Sequence, residues 1–400
     1  MRLLHTSDWH LGRSFHRVGL LEAQAAFADH VVEVVRSEGV DAVLVSGDVY
    51  DRALPAPDTV ALLSETVRRI VDAGAEVVLS SGNHDSAIRL GFASELLARA
   101  GLHIRTRTDS IGTPVLLGDV AVYPLPYLEP SAAADTLGSA DRTHAGVLRA
   151  AMARVVADRA ARPGPAVVMA HAFVTGGATS DSERDISVGG VSAVPPEVFG
   201  AVDYVALGHL HGPQRVSETV RYSGSPVALS FSEADHRKGS WLVDLAPGRA
   251  GRPATVAVEH IEAPVFKPLA RLRGTLEELL SDRRHRAAEG AWCEVTLTDA
   301  QRPRGAMERL RTRFPGCLSL RFDGPTPLDS ARSYAARVRR RSDLDVCCDF
   351  LEHVRGGAGA TDAERDLLRL AVEESARARA VHDDEGTAAE SVARREQGVA

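Results

Sequence analysis

Apolar residues fall in short, nearly unbroken runs along the first half of the chain: "RLLHTS" (2–7), "DAVLVSG" (41–47), "AEVVLSSG" (75–82), "AVVMAH" (166–171) and "DYVALGH" (203–209). Each is short and rich in Val, Leu or Ala, the pattern of a strand covered on both faces. Longer stretches with helical apolar spacing separate several of them. One spans 22–39, and another spans 56–74 and ends in Gly74, where a helix C-cap belongs. Strands alternating with helices predict an α/β domain. Past 209 the pattern turns strand-like in "VRYSGSPVALSF" (220–231), "KGSWLVDLA" (238–246) and "ATVAVEHIE" (254–262), which predicts completion of the sheet by antiparallel strands.

The pattern changes again around 262–272. A compact segment follows, with a helix over 274–290, a strand over 291–299, a helix over 304–314 and a strand over 317–322. Residues 323–329 ("DGPTPLD") read as a linker. Helical spacing resumes over 330–341, 345–356 and 361–380, and the polar last twenty residues read as disordered. The expected division is 1–262, 263–325, 330–380 and a tail over 381–400.

The chain has 400 residues, with 44% hydrophobic and 25% charged, ordinary values for a globular protein with a real core. The N-terminus has no charged segment followed by an apolar one, and no run approaches the ~20 apolar residues of a membrane span. The four cysteines, Cys293, Cys317, Cys347 and Cys348, fit no zinc spacing. A cytoplasmic protein with free thiols and no membrane association is expected. The net charge of −7 by itself argues against a nucleic-acid partner. It conceals a basic block, however. Residues 265–341 hold seventeen Lys/Arg against nine Asp/Glu (+8), residues 342–400 seven against fourteen (−7), and residues 1–264 twenty-three against thirty-one (−8). Without a partner motif, such a block is a solvated Arg-rich face.

The chemistry lies at the strand ends. Asp8 and His10 follow the first run, Asp48 and Asp51 the second, Asn83, His84 and Asp85 the third; His171 ends the fourth, and His209 and His211 follow the fifth. Ligands of open α/β sheets bind beyond the carboxyl ends of strands, so five strand ends would converge on one place. The donors are oxygen and imidazole without thiolate, which suits Mn²⁺, Fe²⁺ or Zn²⁺. This many donors exceed one tetrahedral site, so two ions sharing a bridging carboxylate are the simpler account. Asp48 is the best bridge because Gly47 lets its strand end approach closely. Asp51 reads as a cap of the helix beginning near Pro55, and His5 and His30 as core or surface residues.

The ordered set D-x-H, G-D-x-x-D, G-N-H-D, H and G-H-x-H resembles the motifs of the calcineurin-like metallophosphoesterase superfamily. The flanking sequences "HTSDWHLGRSF" (5–15), "SGDVYDRALP" (46–55), "SGNHDSAIRL" (81–90), "GGATSDSERDISVGG" (176–190), "YVALGHLHGPQ" (204–214) and "YSGSPVALSFSEADHRKG" (222–239) resemble, within it, the bacterial SbcD nuclease-subunit family.

The resemblance implies a four-layer α-β-β-α sandwich, then a small α+β domain that caps the site and guides DNA, then C-terminal helices. It implies two ions, most readily Mn²⁺, one held by Asp8, His10, Asp48 and His211 and the other by Asp48, Asn83, His171 and His209. Two such ions ~3.5–4 Å apart clamp a phosphate. His84 would serve the phosphate or the leaving group, with Asp85 orienting its imidazole. The implied activity is 3′→5′ exonuclease on duplex ends and endonuclease on single strands or hairpins, in DNA recombination, repair and replication. The implied partner is an SbcC-type coiled-coil ATPase, docked on Phe350, Leu351, Val354, Leu367, Leu368, Leu370 and Val372. A homodimer within a heterotetramer would form through 86–101, with Leu90, Phe92, Leu96 and Leu97. The rival readings are a stand-alone phosphodiesterase for a small substrate and a non-enzymatic scaffold.

Overall fold

A computed structural model describes residues 1–184, 186, 193–248, 254–324 and 342–375. The chain divides into two compact units, Met1–Gly324 and Pro325–Ala400. The first begins with β1 (Arg2–Thr6), the hairpin β2 (Ser14–Phe15) and β3 (Val18–Gly19), α1 (Leu21–Glu38), β4 (Ala42–Ser46), α2 (Pro57–Asp72) and β5 (Glu76–Ser80). Short helices α3 (Ala87–Leu90) and α4 (Ser94–Leu97) lead to β6 (Leu102–Arg105), β7 (Val115–Leu117) and β8 (Val120–Pro124). Then come α5 (Pro130–Leu137), α6 (His144–Arg159), β9 (Ala166–His171), β10 (Tyr204–Gly208), β11 (Gln214–Arg215), β12 (Val220–Tyr222), β13 (Gly239–Ala246) and β14 (Thr255–Glu262).

These strands form two six-stranded sheets, ordered β14-β13-β1-β4-β5-β6 and β11-β12-β10-β9-β8-β7. The site-bearing strands therefore do not share one open sheet: β1, β4 and β5 lie in the first, β9 and β10 in the second. Leu3, Leu44, Val78 and Val243 of the first sheet share a buried cluster with Val122, Val167, Met169, Tyr204 and Ala206 of the second. The other face of the first sheet packs Val43, Val45, Val77 and Leu79 against Phe27, Val31, Val35, Leu63 and Ile70 of α1 and α2. The other face of the second packs Val168, Ala170, Val205 and Leu207 against Val147, Ala151, Met152 and Val155 of α6. Apolar cover on both sides is why these strands show runs rather than alternation. Each buried Val, Leu, Ile, Phe or Met side chain among them contributes about 1.5–3 kcal/mol. His5 is a core residue that ties the sheets together, its Nδ1 2.9 Å from the Tyr204 hydroxyl and its Nε2 3.1 Å from the Leu207 carbonyl oxygen.

Antiparallel completion holds for the first sheet, where β13 pairs with β1 and β14 with β13. In the second, β12 runs parallel to β10. Only Val220–Tyr222 of the stretch 220–231 is a strand, since its Gly, Ser and Pro residues turn the chain toward the site.

The remainder of the first unit comprises β15 (Leu269–Gly274), α7 (Leu276–Ser281), β16 (Trp292–Leu297), α8 (Ala306–Arg313) and β17 (Cys317–Phe322), with the three strands in one parallel sheet. A capping box of Thr275 and Glu278 starts α7. The helix expected to run to 290 gives way to 3-10 turns over Arg283–Gly290. Leu272, Leu279, Val295, Leu310 and Phe314 form this domain's own core, with Cys293 and Cys317 buried as free thiols. Trp292 stacks on Phe15 at 5.4 Å and docks the domain beside the β2–β3 hairpin.

In the second unit, Ser342 caps α9 (Asp343–Val354), and residues 362–375 are helical. Phe350, Val354, Leu367 and Leu370 are exposed within that unit. The expected linker beyond Gly324, the helix over 330–341, the end of the helix over 361–380 and the tail over 381–400 lie outside the described residues. Among the described residues, no helix is long and apolar enough to cross a membrane.

Candidate metal centre

Each candidate ligand sits just past, or at, the C-terminal end of a strand whose core position is set by packing. The backbone there is unusual. Asp8, His10, Asp48 and His209 all have positive φ, at 52°, 42°, 48° and 102°. Non-glycine residues rarely adopt this region, and each such residue costs on the order of 1–3 kcal/mol. Four of seven candidate ligands thus stand in strained conformations that only the surrounding packing holds.

Glycines make the approach possible. A Cβ on Gly47 would lie 2.3 Å from His171 Nδ1, and one on Gly82 would lie 2.2 Å from Asp48 Oδ1. Neither position accepts a side chain without displacing a candidate ligand.

The side chains converge from both sheets. His10 Nε2 lies 3.1 Å from His211 Nε2, and His171 Nε2 lies 2.9 Å from Asn83 Oδ1. Asp48 Oδ2 lies 3.5 Å from His10 Nε2 and 3.5 Å from His171 Nε2, so one carboxylate oxygen stands between the two groups. Donor atoms within 4.8 Å of one another define three overlapping sets: Asp8, His10 and His211; His10, Asp48 and His84; and Asp8, Asp48 and His171. His209 joins through its backbone N–H, 3.0 Å from Asp8 Oδ1, with its ring against that of His171.

The donors fit divalent cations. Asp8 and Asp48 are buried and, among the described residues, neither has a Lys or Arg partner. Buried carboxylates of this kind are costly unless a cation joins them. Burial pushes Asp8 up to about 6. Burial would raise Asp48 too, but the imidazoles of His171, His10 and His84 outweigh it and hold the carboxyl well below its usual range. Burial opposes charge on His171, yet Asp48 and Asp8 raise it to about 9. Burial, then the His171 charge, lowers His209 to about 3, leaving it neutral and able to donate a lone pair. Protons on this cluster stand where cations would.

His84 lies at the rim of the cluster. Its Nδ1 donates to the Asp51 carbonyl at 2.8 Å, which turns Nε2 toward Asp48 Oδ2 at 3.9 Å. The expectation that Asp85 orients His84 is corrected. The Asp85 carboxylate accepts backbone N–H groups of Val49 (3.0 Å), Tyr50 (2.9 Å) and Gly82 (2.9 Å), and so binds the β4 and β5 loops together. Asp51 is likewise not a helix cap, since α2 begins at Pro57 behind Ala56 with no side-chain cap. Its carboxylate faces His10 Nδ1 at 3.5 Å and Arg13 at 3.4 Å.

Sequence reasoning assigned no role to Ser182, Glu183, Glu233 or Lys238, which surround His211. The only signal was that "SDSER" and "SEADHRKG" fall in stretches distinctive of one family. In the expected dimer segment, Leu90, the last residue of α3, is buried in the core beside the first sheet, while Ile88, Phe92 and Leu96 are exposed.

A family model described as calcineurin-like phosphoesterase matches residues 1–213, and the chain belongs to that family. A second model, SbcD_C, described as type 5 capsule protein repressor C-terminal domain, matches residues 265–355. The two together make this an SbcD-type metallophosphoesterase, a metal-dependent phosphoester hydrolase by family. Among solved structures, a β-glucosidase from Exiguobacterium marinum aligns at 10% identity over 80% of this chain and 89% of its own, with a TM-score of 0.22. One from Micrococcus antarcticus aligns at 13% identity over 80% and 83%, also with a TM-score of 0.22. Overlap this poor carries no likeness of fold.

Proposed function

We propose that this chain is the nuclease subunit of an SbcCD-type complex, cleaving DNA phosphodiester bonds with two divalent ions, Mn²⁺ by expectation. The observation that carries the reading is Asp48 Oδ2, equidistant at 3.5 Å from two imidazoles of opposite sheets, in a chain that also bears an SbcD-type second domain. One ion would take Asp8, His10, Asp48 and His211, and the other Asp48, Asn83, His171 and His209. When bound, the ions supply Lewis-acid stabilisation of the phosphoryl charge and acidify the attacking water. His84 presents Nε2 to that place and would donate to a phosphate oxygen or to the leaving oxygen, with its ring held by the Asp51 carbonyl. Asp85 would act by fixing the loops that carry Asp48 and Asn83.

The packing clusters support a four-layer α-β-β-α order for 1–262. In the domain 263–325, the solvent-exposed Arg283, Arg286, Arg304 and Arg309 suit phosphate contacts, and its place beside the hairpin suits capping of the site. The exposed apolar residues of α9 and 362–375 suit an SbcC-type ATPase, and Ile88, Phe92 and Leu96 suit a second copy of this chain. The reading extends to 3′→5′ exonuclease action on duplex ends, endonuclease action on single strands and hairpins, and a cytoplasmic role in recombination, repair and replication. The test is Mn²⁺-dependent cleavage of a linear duplex, alone and with the ATPase plus ATP. Rapid hydrolysis of a small phosphodiester without any DNA cleavage would replace this reading with a stand-alone phosphodiesterase.

A further inference from the structure

The stretches 180–184 ("SDSER") and 223–238 supply no ligand, yet they meet at His211. We propose that they form a positioning device for His211, a directed hydrogen-bond chain through Ser182, Glu233 and Lys238 that turns the Nε2 lone pair toward one of the two ion sites and leaves the other untouched. The inference rests on the two-ion reading above.

The direction of each proton follows from the partners. Glu233 is buried and its Oε2 accepts from Lys238 Nζ at 2.5 Å and from the Leu229 N–H at 3.1 Å. A carboxylate paired with an ammonium group only accepts. Ser182 Oγ contacts Glu233 Oε1, so the hydroxyl proton points there. Ser180 Oγ, at 3.0 Å, is the more distant alternative, and its own proton has Glu183 Oε2 at 2.8 Å. With its proton committed, Ser182 Oγ can only accept from His211 Nδ1, 2.5 Å away. His211 must then carry its hydrogen on Nδ1 and its lone pair on Nε2, the atom 3.1 Å from His10 Nε2.

The backbone of His211 is pinned by the same two stretches. Its N–H donates to Glu183 Oε1 at 2.8 Å, and its carbonyl accepts from Lys238 Nζ at 2.8 Å. Lys238 places its remaining donors on Ser225 Oγ at 2.9 Å and on Glu233, so all three are used. In the opposite half of the site, His171 Nδ1 donates to the backbone carbonyl of Ser46 at 3.0 Å, and among the described residues no comparable side-chain chain stands behind it. A change in the device therefore reaches the His211 site and not the His171 site.

The test is a Mn²⁺ titration of the full chain without DNA, followed by calorimetry and by electron paramagnetic resonance. The wild type binds two Mn²⁺. Ser182→Ala removes the near acceptor for Nδ1–H, leaving only Glu233 Oε1 at 3.6 Å, and weakens one ion by about 10–100-fold, the size of effect that outer partners of metal-bound histidines exert, while the other stays within about twofold. Ser182→Thr keeps the hydroxyl and restores the first affinity. Glu233→Gln places an amide donor against either Lys238 or the Ser182 proton and weakens the same ion at least as much. Unfolding of the metal-free Ser182→Ala protein reports whether the fold is kept. Two undisturbed affinities in Ser182→Ala, or equal weakening of both ions, overturns the inference alone. A wild-type chain that binds no Mn²⁺ overturns the two-ion reading and the inference with it.

Discussion

Replacing Asp48 by Asn should change the stability of the metal-free protein by an amount that depends on pH, with a reversal of sign. Asp48 is buried and lies 3.5 Å from His171 Nε2. His171, also buried, is raised from 6.5 to about 9, against the lowering that burial imposes, chiefly by this carboxylate. A folded-state pKa raised above the unfolded value contributes stability that is fully present below the unfolded pKa, here 6.5, and is lost as pH rises through about 9. The rise from 6.5 to about 9 amounts to roughly 3 kcal/mol of linked stability. In Asp48→Asn the main cause of the shift is gone, and burial then keeps the imidazole neutral.

The wild type should therefore exceed the variant in stability near about pH 6, and the difference should fall by about 3 kcal/mol by about pH 10. At the upper end the wild type holds a buried anion with no protonated imidazole beside it, so the variant should be the more stable. Urea unfolding of both proteins in excess chelator at the two pH values measures this, with equal denaturant slopes as the check that the same transition is compared. A stability difference that stays constant with pH would refute the reasoning, because it would mean that His171 does not share a proton-linked pair with Asp48. Adding Mn²⁺ should reverse the trend, since ion binding to His171 requires the neutral ring and so strengthens as pH rises.

His84→Ala should keep both Mn²⁺ affinities and lower DNA cleavage by about 10²–10⁴-fold, as loss of a proton donor does; loss of an ion in calorimetry would instead make His84 a ligand, which its distance to Asp48 permits. Gly82→Ala should abolish Mn²⁺ binding in a chain that still folds, because the new Cβ would lie 2.2 Å from Asp48 Oδ1; a variant with wild-type affinity would show that the Asp48 loop gives way. Trp292→Ala should lose a stacked pair worth about 0.5–1.5 kcal/mol beyond burial, and should impair cleavage of DNA more than of a small phosphodiester. Equal effects on both substrates would separate the second domain from DNA guidance.

The convergence of the candidate ligands was legible because the fold restricts where such side chains fall. An Asp or His directly after an apolar run marks a strand end, and five such places in order leave few arrangements. Two features escaped because they depend on backbone that no pattern displays. Asp85 adjoins His84 in sequence, but its carboxylate points at three N–H groups of the loops behind it, whereas the acceptor for His84 is the carbonyl of Asp51, thirty-three residues away. Strands β6, β7 and β8 were also passed over, although they extend both sheets.

The same contrast explains the strain at the site. Local preference alone would relax Asp8, His10, Asp48 and His209 out of the left-handed region, and would let water reach Asp8 and Asp48. The apolar cluster between the sheets, the Asp85 clamp on the loops and the Glu233–Lys238 pair behind His211 prevent both. In the metal-free chain the buried carboxylates are balanced by protons on the imidazoles facing them, chiefly on His171. Divalent ions would take the place of those protons, which is the arrangement a hydrolase needs if its charge is to be in place before the phosphate arrives.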